Sequence, residues 1–192
     1  MDWDEASHIL ISVVTISLAF ALAINGFSDV TPGFAGSFIG ILVTVGAGFV
    51  LHELAHRQVA KRYGAQARYR AWTLGLVLAV VMAIGLGFVF AAPGAVYIYG
   101  KQLSRDKYGK VALAGPVMNF VLALIFLFAA GAFPGLAGLA LTGAYVNAFL
   151  GAFNMIPMDP FDGAKVLRWN SGVWFAATAA LALLMFSLTG AI

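Results

Sequence analysis

The sequence predicts an all-α polytopic membrane protein of five to six transmembrane helices, with a re-entrant or β-hairpin element around residues 73–100. Three observations carry this prediction. Hydrophobic residues make up 62% of the 192-residue chain and charged ones only 10%, against about a quarter in a soluble domain, and the mean hydropathy is +0.94. Apolar segments lie at roughly 7–24, 36–63, 73–91, 109–133, 136–153 and 171–191, separated by short connectors that carry Gly, Pro or charge. Several contain uncharged runs of about 18 residues or more, so the solvent for most of the chain is lipid rather than water. The basic residues, in turn, are confined to a few segment ends and connectors. No repeat or low-complexity tract interrupts the pattern, and residues 1–192 read as one membrane domain. A net charge of +3 is too small to suggest a nucleic-acid partner, and the absence of cysteine removes disulfides and thiolate metal sites.

In the first segment, "ILISVVTISLAFALAI" follows Asp2, Asp4 and Glu5 with no Lys or Arg before it, so it lacks a signal peptide's basic start and reads as a retained span. "NGFSDVTPG" at 25–33 is a turn-rich link. The second segment, at ~1.5 Å per residue, reaches about 42 Å, long enough to cross the hydrocarbon and emerge. Arg57, Lys61 and Arg62 place its end among headgroups. In the third, "GFVFAAPGAVYIYG" carries Phe, Val, Tyr and Ile on both sides of Pro93-Gly94, a hairpin pattern, while Tyr97 and Tyr99 suit an interfacial anchor. "FPG" at 133–135 is short enough to join two antiparallel helices. Pro157 and Pro160 then break the chain before a helix restarts near Ala164.

Within the second segment, His52 and His56 are four apart and share one helical face, with Glu53 beside them. This H-E-x-x-H pattern places two imidazoles for zinc and a carboxylate as general base toward a water that the metal polarises. Ionisable groups inside a span cost a few kcal/mol or more and mark function. A hydrolytic zinc site needs three protein ligands and an open position. The third must come from elsewhere, because His8 stands alone near the acidic N-terminus and reads as interfacial. Irregular backbone at membrane depth is tolerated where it lines a cavity, and the break at 154–163 holds two carboxylates, Asp159 and Asp162. Either completes a His, His, Asp set. Asp159 also suits a turn, and Asp162 is modestly favoured because it precedes Gly163 and the restarting helix.

Three motifs in this order resemble the site-2 protease family of intramembrane zinc metalloproteases, in a compact form without PDZ or CBS domains. They are "HELAH" at 52–56, "AGPVMN" at 114–119 and "NMIPMDPFDG" at 154–163, with Phe161 where the family usually has leucine. The resemblance covers about residues 36–170. It implies one Zn2+ per chain held by His52, His56 and Asp162, Glu53 as the catalytic acid–base, Asn154 as a catalytic residue toward substrate backbone or oxyanion, and transmembrane proteins in the lipid bilayer as substrates. It also implies a membrane-associated β element near 73–100, whose edge can hold an unwound substrate by main-chain hydrogen bonds. Gly115 would permit close helix approach, Pro116 a first turn or a kink, and Asn119 a hydrogen bond across helices, favoured over a place lining the site.

Chain direction bears on the third segment. If 73–91 crosses fully, Asp162 arrives at the side away from the histidines. If it enters and returns, Asp162 arrives at their depth and all eleven Lys and Arg residues fall on one side, which the positive-inside rule makes cytoplasmic. The expectation is therefore five full spans plus one re-entrant element in the cell membrane. Two other readings compete. A membrane zincin with a downstream glutamate ligand lacks that glutamate, since the chain's only glutamates are Glu5 and Glu53. A metal-binding transporter would use the same polar residues but has no need of a base at Glu53.

Overall fold

The structure, a computed structural model, describes residues 3–26 and 34–190. Residues 27–33, most of the expected turn-rich link, lie outside the described residues. In chain order the elements are α1 (Trp3–Asn25), α2 (Phe34–Arg62), β1 (Gln66–Ala71), α3 (Thr73–Leu86), β2 (Gly94–Tyr99), α4 (Arg105–Ala132), α5 (Ala137–Asn154), α6 (Asp162–Trp169) and α7 (Ser171–Leu188). Among the described residues α1, α2, α4, α5 with its preceding 3₁₀ turn, and α7 are long and apolar enough to span a membrane.

The third segment does not cross. Its helix α3 has 14 residues, about 21 Å at 1.5 Å per residue, against a hydrocarbon core of about 30 Å. Gly87 stops it in the left-handed conformation (φ 62°), donating its N–H to the Ala83 carbonyl. The chain then returns, because β1 and β2 pair antiparallel from Gln66–Tyr99 to Ala71–Gly94. The element at 73–91 is thus re-entrant, and all eleven basic residues gather at one end of the bundle. The Trp169 indole donates to Asp106 Oδ1 (3.0 Å), which fixes the end of α6 beside the start of α4 at that same end.

The two-stranded sheet forms with a different partner from the one that its Pro-Gly sequence suggests. Residues 87–93 are not a strand. Phe88 and Phe90 instead pack edge-on into an aromatic cluster with Phe149, Phe153 and Phe161. Pro93-Gly94 opens β2 rather than turning the hairpin. The true partner is β1, whose period-two burial (Ala67 and Tyr69 in, Gln66 and Arg68 out) lies hidden in a stretch that looks like a basic connector.

Beyond the register, the Trp72 N–H donates to Pro93 O (2.8 Å), so the hydrogen-bonded pairs fall on even-numbered β1 residues. Tyr69 and Ala71 therefore turn their N–H groups away from β2. Side chains of α1 accept them: Glu5 Oε1 from Tyr69 (3.1 Å) and His8 Nδ1 from Ala71 (3.3 Å). His8 thus sits against the sheet edge, outside the group of His52, His56 and Asp162. Arg57 faces Glu5 Oε2 at 3.4 Å, Arg70 pairs with Asp4, and the buried Tyr69 hydroxyl donates to Ser12 (2.8 Å). Burial holds the Tyr69 phenol far above the usual tyrosine range, so it stays a donor. The outer edge of β1 is closed by α1. By the same alternation, Val96 and Ile98 turn their backbone groups to the outer edge of β2.

The main core joins Ile16 and Phe20 of α1, Val45 of α2, Ala79 and Ala83 of α3, and Val146 and Leu150 of α5. A second cluster, of Ala112, Met155, Val166 and Leu181, fastens α6 and α7 to α4. Pro116 lies well inside α4, not in its first turn, and is buried.

Candidate metal centre

The last third of α2 aims His52, Glu53 and His56 into the bundle, where they are 4%, 8% and 6% exposed. Each imidazole is oriented from behind. His56 Nδ1 is 2.7 Å from the Val111 carbonyl, which can only accept, so that nitrogen carries the proton and Nε2 offers its lone pair. His52 Nδ1 lies 2.5 Å from Asn119 Oδ1. The two Nε2 atoms face each other at 3.0 Å.

The third group arrives from 106 residues downstream of His56, as 162 − 56 = 106. After α5 the chain turns through Pro157 and Pro160, and Asp162 opens α6. Gly163 makes this possible through space rather than backbone freedom, since a Cβ there would lie 2.1 Å from the Met155 carbonyl oxygen. Asp162 Oδ2 sits 2.9 Å from His56 Nε2 and 3.4 Å from His52 Nε2, while Lys165 Nζ holds Oδ1 at 3.2 Å and the Pro160 carbonyl at 3.3 Å. Asp159, the other candidate, is exposed and ion-paired with Arg168. Asp159→Asn should therefore leave zinc content at the wild-type level, as an exposed pair is worth at most about 1 kcal/mol. Asp162→Asn should release the metal. Equal loss in both variants, read by elemental analysis, would overturn the choice.

The group fits a zinc ion. Two lone pairs and a carboxylate oxygen converge, an arrangement that repels itself unless a cation sits among them. Ligands ~2.0–2.1 Å from a tetrahedral ion lie about 3.3 Å apart, and the observed separations of 2.9, 3.0 and 3.4 Å bracket that spacing. The three ligand atoms all lie within 4.8 Å of one another. Opposite them Gly115 leaves a cradle, since a Cβ there would meet His56 Nε2 at 2.4 Å and His52 Nε2 at 2.5 Å. Gly115 therefore serves the site itself as well as helix approach.

A small cavity opens over the group, bordered by Glu53, Asn154, Tyr108, Lys165 and the β2 residues Val96 and Ile98. Glu53 Oε2 is buried without a hydrogen-bond partner. Asn154 lines the cavity and donates one N–H to the Leu150 carbonyl (3.0 Å). Sequence reasoning missed Asn147, a fully buried amide that bonds Asn119. The available signal was an amide in the middle of an otherwise apolar span.

A multi-helix membrane architecture enclosing a His, His, Asp set with a free buried glutamate defines a membrane metallohydrolase. The comparisons agree. The model of the family described as Peptidase family M50 matches residues 40–138. "Putative zinc metalloprotease MJ0611" of Methanocaldococcus jannaschii is 41% identical over 175 residues, covering 90% of this chain and 88% of that protein. "Zinc metalloprotease MJ0392" of the same organism is 27% identical over 79% of this chain and 39% of its own length. "Putative zinc metalloprotease YwhC" of Bacillus subtilis is 27% identical over 67% of each chain. No solved structure matches the chain significantly. The chain belongs to peptidase family M50, the site-2 protease family. Family and relatives together support a zinc metalloprotease with several membrane-length helices.

Proposed function

We propose that the chain is an intramembrane zinc endopeptidase, a single domain over residues 1–192 with its working core at about 36–170, that cleaves transmembrane proteins in or near their spans. The observation that carries this reading is the convergence of His52, His56, Asp162 and Glu53 among membrane-length helices, next to a sheet edge. His52 Nε2, His56 Nε2 and Asp162 Oδ2 would hold the ion. Bound there, zinc supplies Lewis acidity toward a water and toward the scissile carbonyl.

The chain's own groups do the rest. Glu53 accepts the proton of the attacking water and returns it to the leaving amine nitrogen. Asn154, at the cavity wall, donates to substrate backbone or to the oxygen that gains charge. A helical substrate hides its peptide bonds, so it must unwind to be cut. The outer edge of β2 meets that need: α1 closes the β1 edge, whereas Val96 and Ile98 line the cavity with their backbone groups turned outward. An unwound segment added there as a strand lies alongside Glu53. Tyr97 and Tyr99, 58% and 38% exposed, anchor the sheet at headgroup level.

The basic end is the cytoplasmic one, which puts the active site nearer that face. Purified protein should cut a detergent-solubilised transmembrane peptide, lose that activity to a zinc chelator and regain it with Zn2+. Cleavage indifferent to chelation would defeat the proposal. Lys101 and Lys107 should resist amine labelling from outside intact cells, and labelling there would reverse the orientation.

A further inference from the structure

Behind His52 stands a series of buried groups that the reaction does not use directly. Asn119 on α4 and Asn147 on α5 are both fully buried. Their direction is set by two backbone carbonyls, which can only accept. The Gly143 carbonyl takes the Asn147 Nδ2 donor at 2.9 Å, so Asn147 turns Oδ1 toward Asn119. There it accepts from Asn119 Nδ2 at 3.0 Å, and that same nitrogen lies 3.4 Å from the Gly48 carbonyl. Only Oδ1 of Asn119 is left to face His52 Nδ1, at 2.5 Å. An amide oxygen cannot donate, so His52 Nδ1 must carry hydrogen.

Reversing either amide would set oxygen against a backbone carbonyl in a buried site, at a cost of about 1–3 kcal/mol for each unsatisfied group. The packing is built around the series as well. A Cβ on Gly48 would lie 2.3 Å from Asn147 Oδ1, and one on Gly151 would lie 3.3 Å from the Asn119 Cβ. Gly48 is one helical turn before His52, so the space that admits Asn147 also brings α5 against the metal-bearing stretch of α2.

We propose that Asn147 and Asn119 are positioning residues in series: Asn147 fixes the Asn119 amide, and Asn119 fixes His52 as the Nδ1–H tautomer with its Nε2 lone pair directed into the ligand cluster. Neither side chain belongs to the ligand group. Val111 does the same for His56 with one backbone carbonyl. For His52 the role is spread over two side chains from two other helices, which ties the affinity of the site to the packing of α2, α4 and α5. This rests on the zinc reading above, and the test separates the two.

Zinc affinity is measured by chelator competition on the full chain in micelles for Asn119→Leu, Asn147→Leu, the double variant and Asp162→Asn. Asn119→Leu should weaken binding by roughly 10–100-fold, the range for groups behind a metal ligand. Asn147→Leu should weaken it less. Because Asn147 acts through Asn119, the double variant should bind no worse than Asn119→Leu alone, whereas two merely structural losses would multiply. Wild-type affinity in Asn119→Leu, or multiplicative losses, overturns the proposal while loss in Asp162→Asn keeps the zinc site. Unchanged affinity in Asp162→Asn overturns the zinc reading instead. Should the leucine variants fail to fold, nitrogen NMR of histidine-labelled, zinc-free wild-type protein decides: His52 with hydrogen on Nδ1 supports the series, and hydrogen on Nε2 alone ends it.

Discussion

Glu53→Gln will abolish cleavage while the protein keeps its zinc. The substitution preserves shape and removes only the capacity to take a proton. Glu53 contributes no atom to the ligand group, and its Oε2 has no hydrogen-bond partner. Metal binding therefore has no reason to change. General acid–base groups contribute roughly 10²–10⁴-fold, and the proposed mechanism gives Glu53 both proton transfers, so the loss should reach the upper part of that range. The measurement pairs zinc stoichiometry with the rate on a transmembrane peptide. Persistent cleavage, or zinc lost along with activity, would remove Glu53 from the role of base. A transporter using the same residues would be little affected by the change, so the experiment also separates chemistry from transit.

The second large effect is expected from a substitution that helix propensity favours. Gly115 lies inside α4, where alanine is better by about 1 kcal/mol. On those grounds Gly115→Ala should stabilise. The added methyl, however, would stand 2.4–2.5 Å from both ligand nitrogens, inside the space the ion requires. Zinc affinity should fall by at least ~100-fold, beyond the range typical of groups one step removed from the metal. The helical signal of the zinc-free protein should be preserved. Chelator competition and circular dichroism read the two quantities. Undiminished affinity would mean that the ion does not sit between the Nε2 atoms and α4.

Much of this was legible in the sequence because membrane chains are read by solvent. Spans announce themselves by length, and polar residues within them are costly enough to stand out. His52, Glu53 and His56 stood out in that way, Asp162 was only modestly favoured over Asp159 until the family resemblance singled it out, and parity together with basic-residue placement indicated that 73–91 turns back. What stayed hidden was whatever depends on contact between distant elements. β1 is short, and its buried alternation is masked by Arg68 and Arg70, so it looked like a connector. The strand expected before Pro93 gave way to an aromatic cluster whose members come from α5 and the 155–161 break. Gly115 and Gly163 have no side chain to draw notice, and their value is the room they leave for atoms more than fifty and about eight residues away respectively. Asn119 was seen as a cross-helix bond, but its partner His52 and the support from Asn147 appear only when α2, α4 and α5 are packed.

The separation of the imidazoles from Asp162 along the chain also bears on biosynthesis. A ribosome completes α2 long before it reaches the carboxylate that closes the cage, and two imidazoles alone make neither a three-ligand hydrolytic centre nor a neutralising one. While the chain is being inserted into the bilayer, it therefore passes its own helices and those of neighbouring nascent proteins without a functioning blade. Competence to hold the ion therefore waits on Asp162, once α6 has folded against α4.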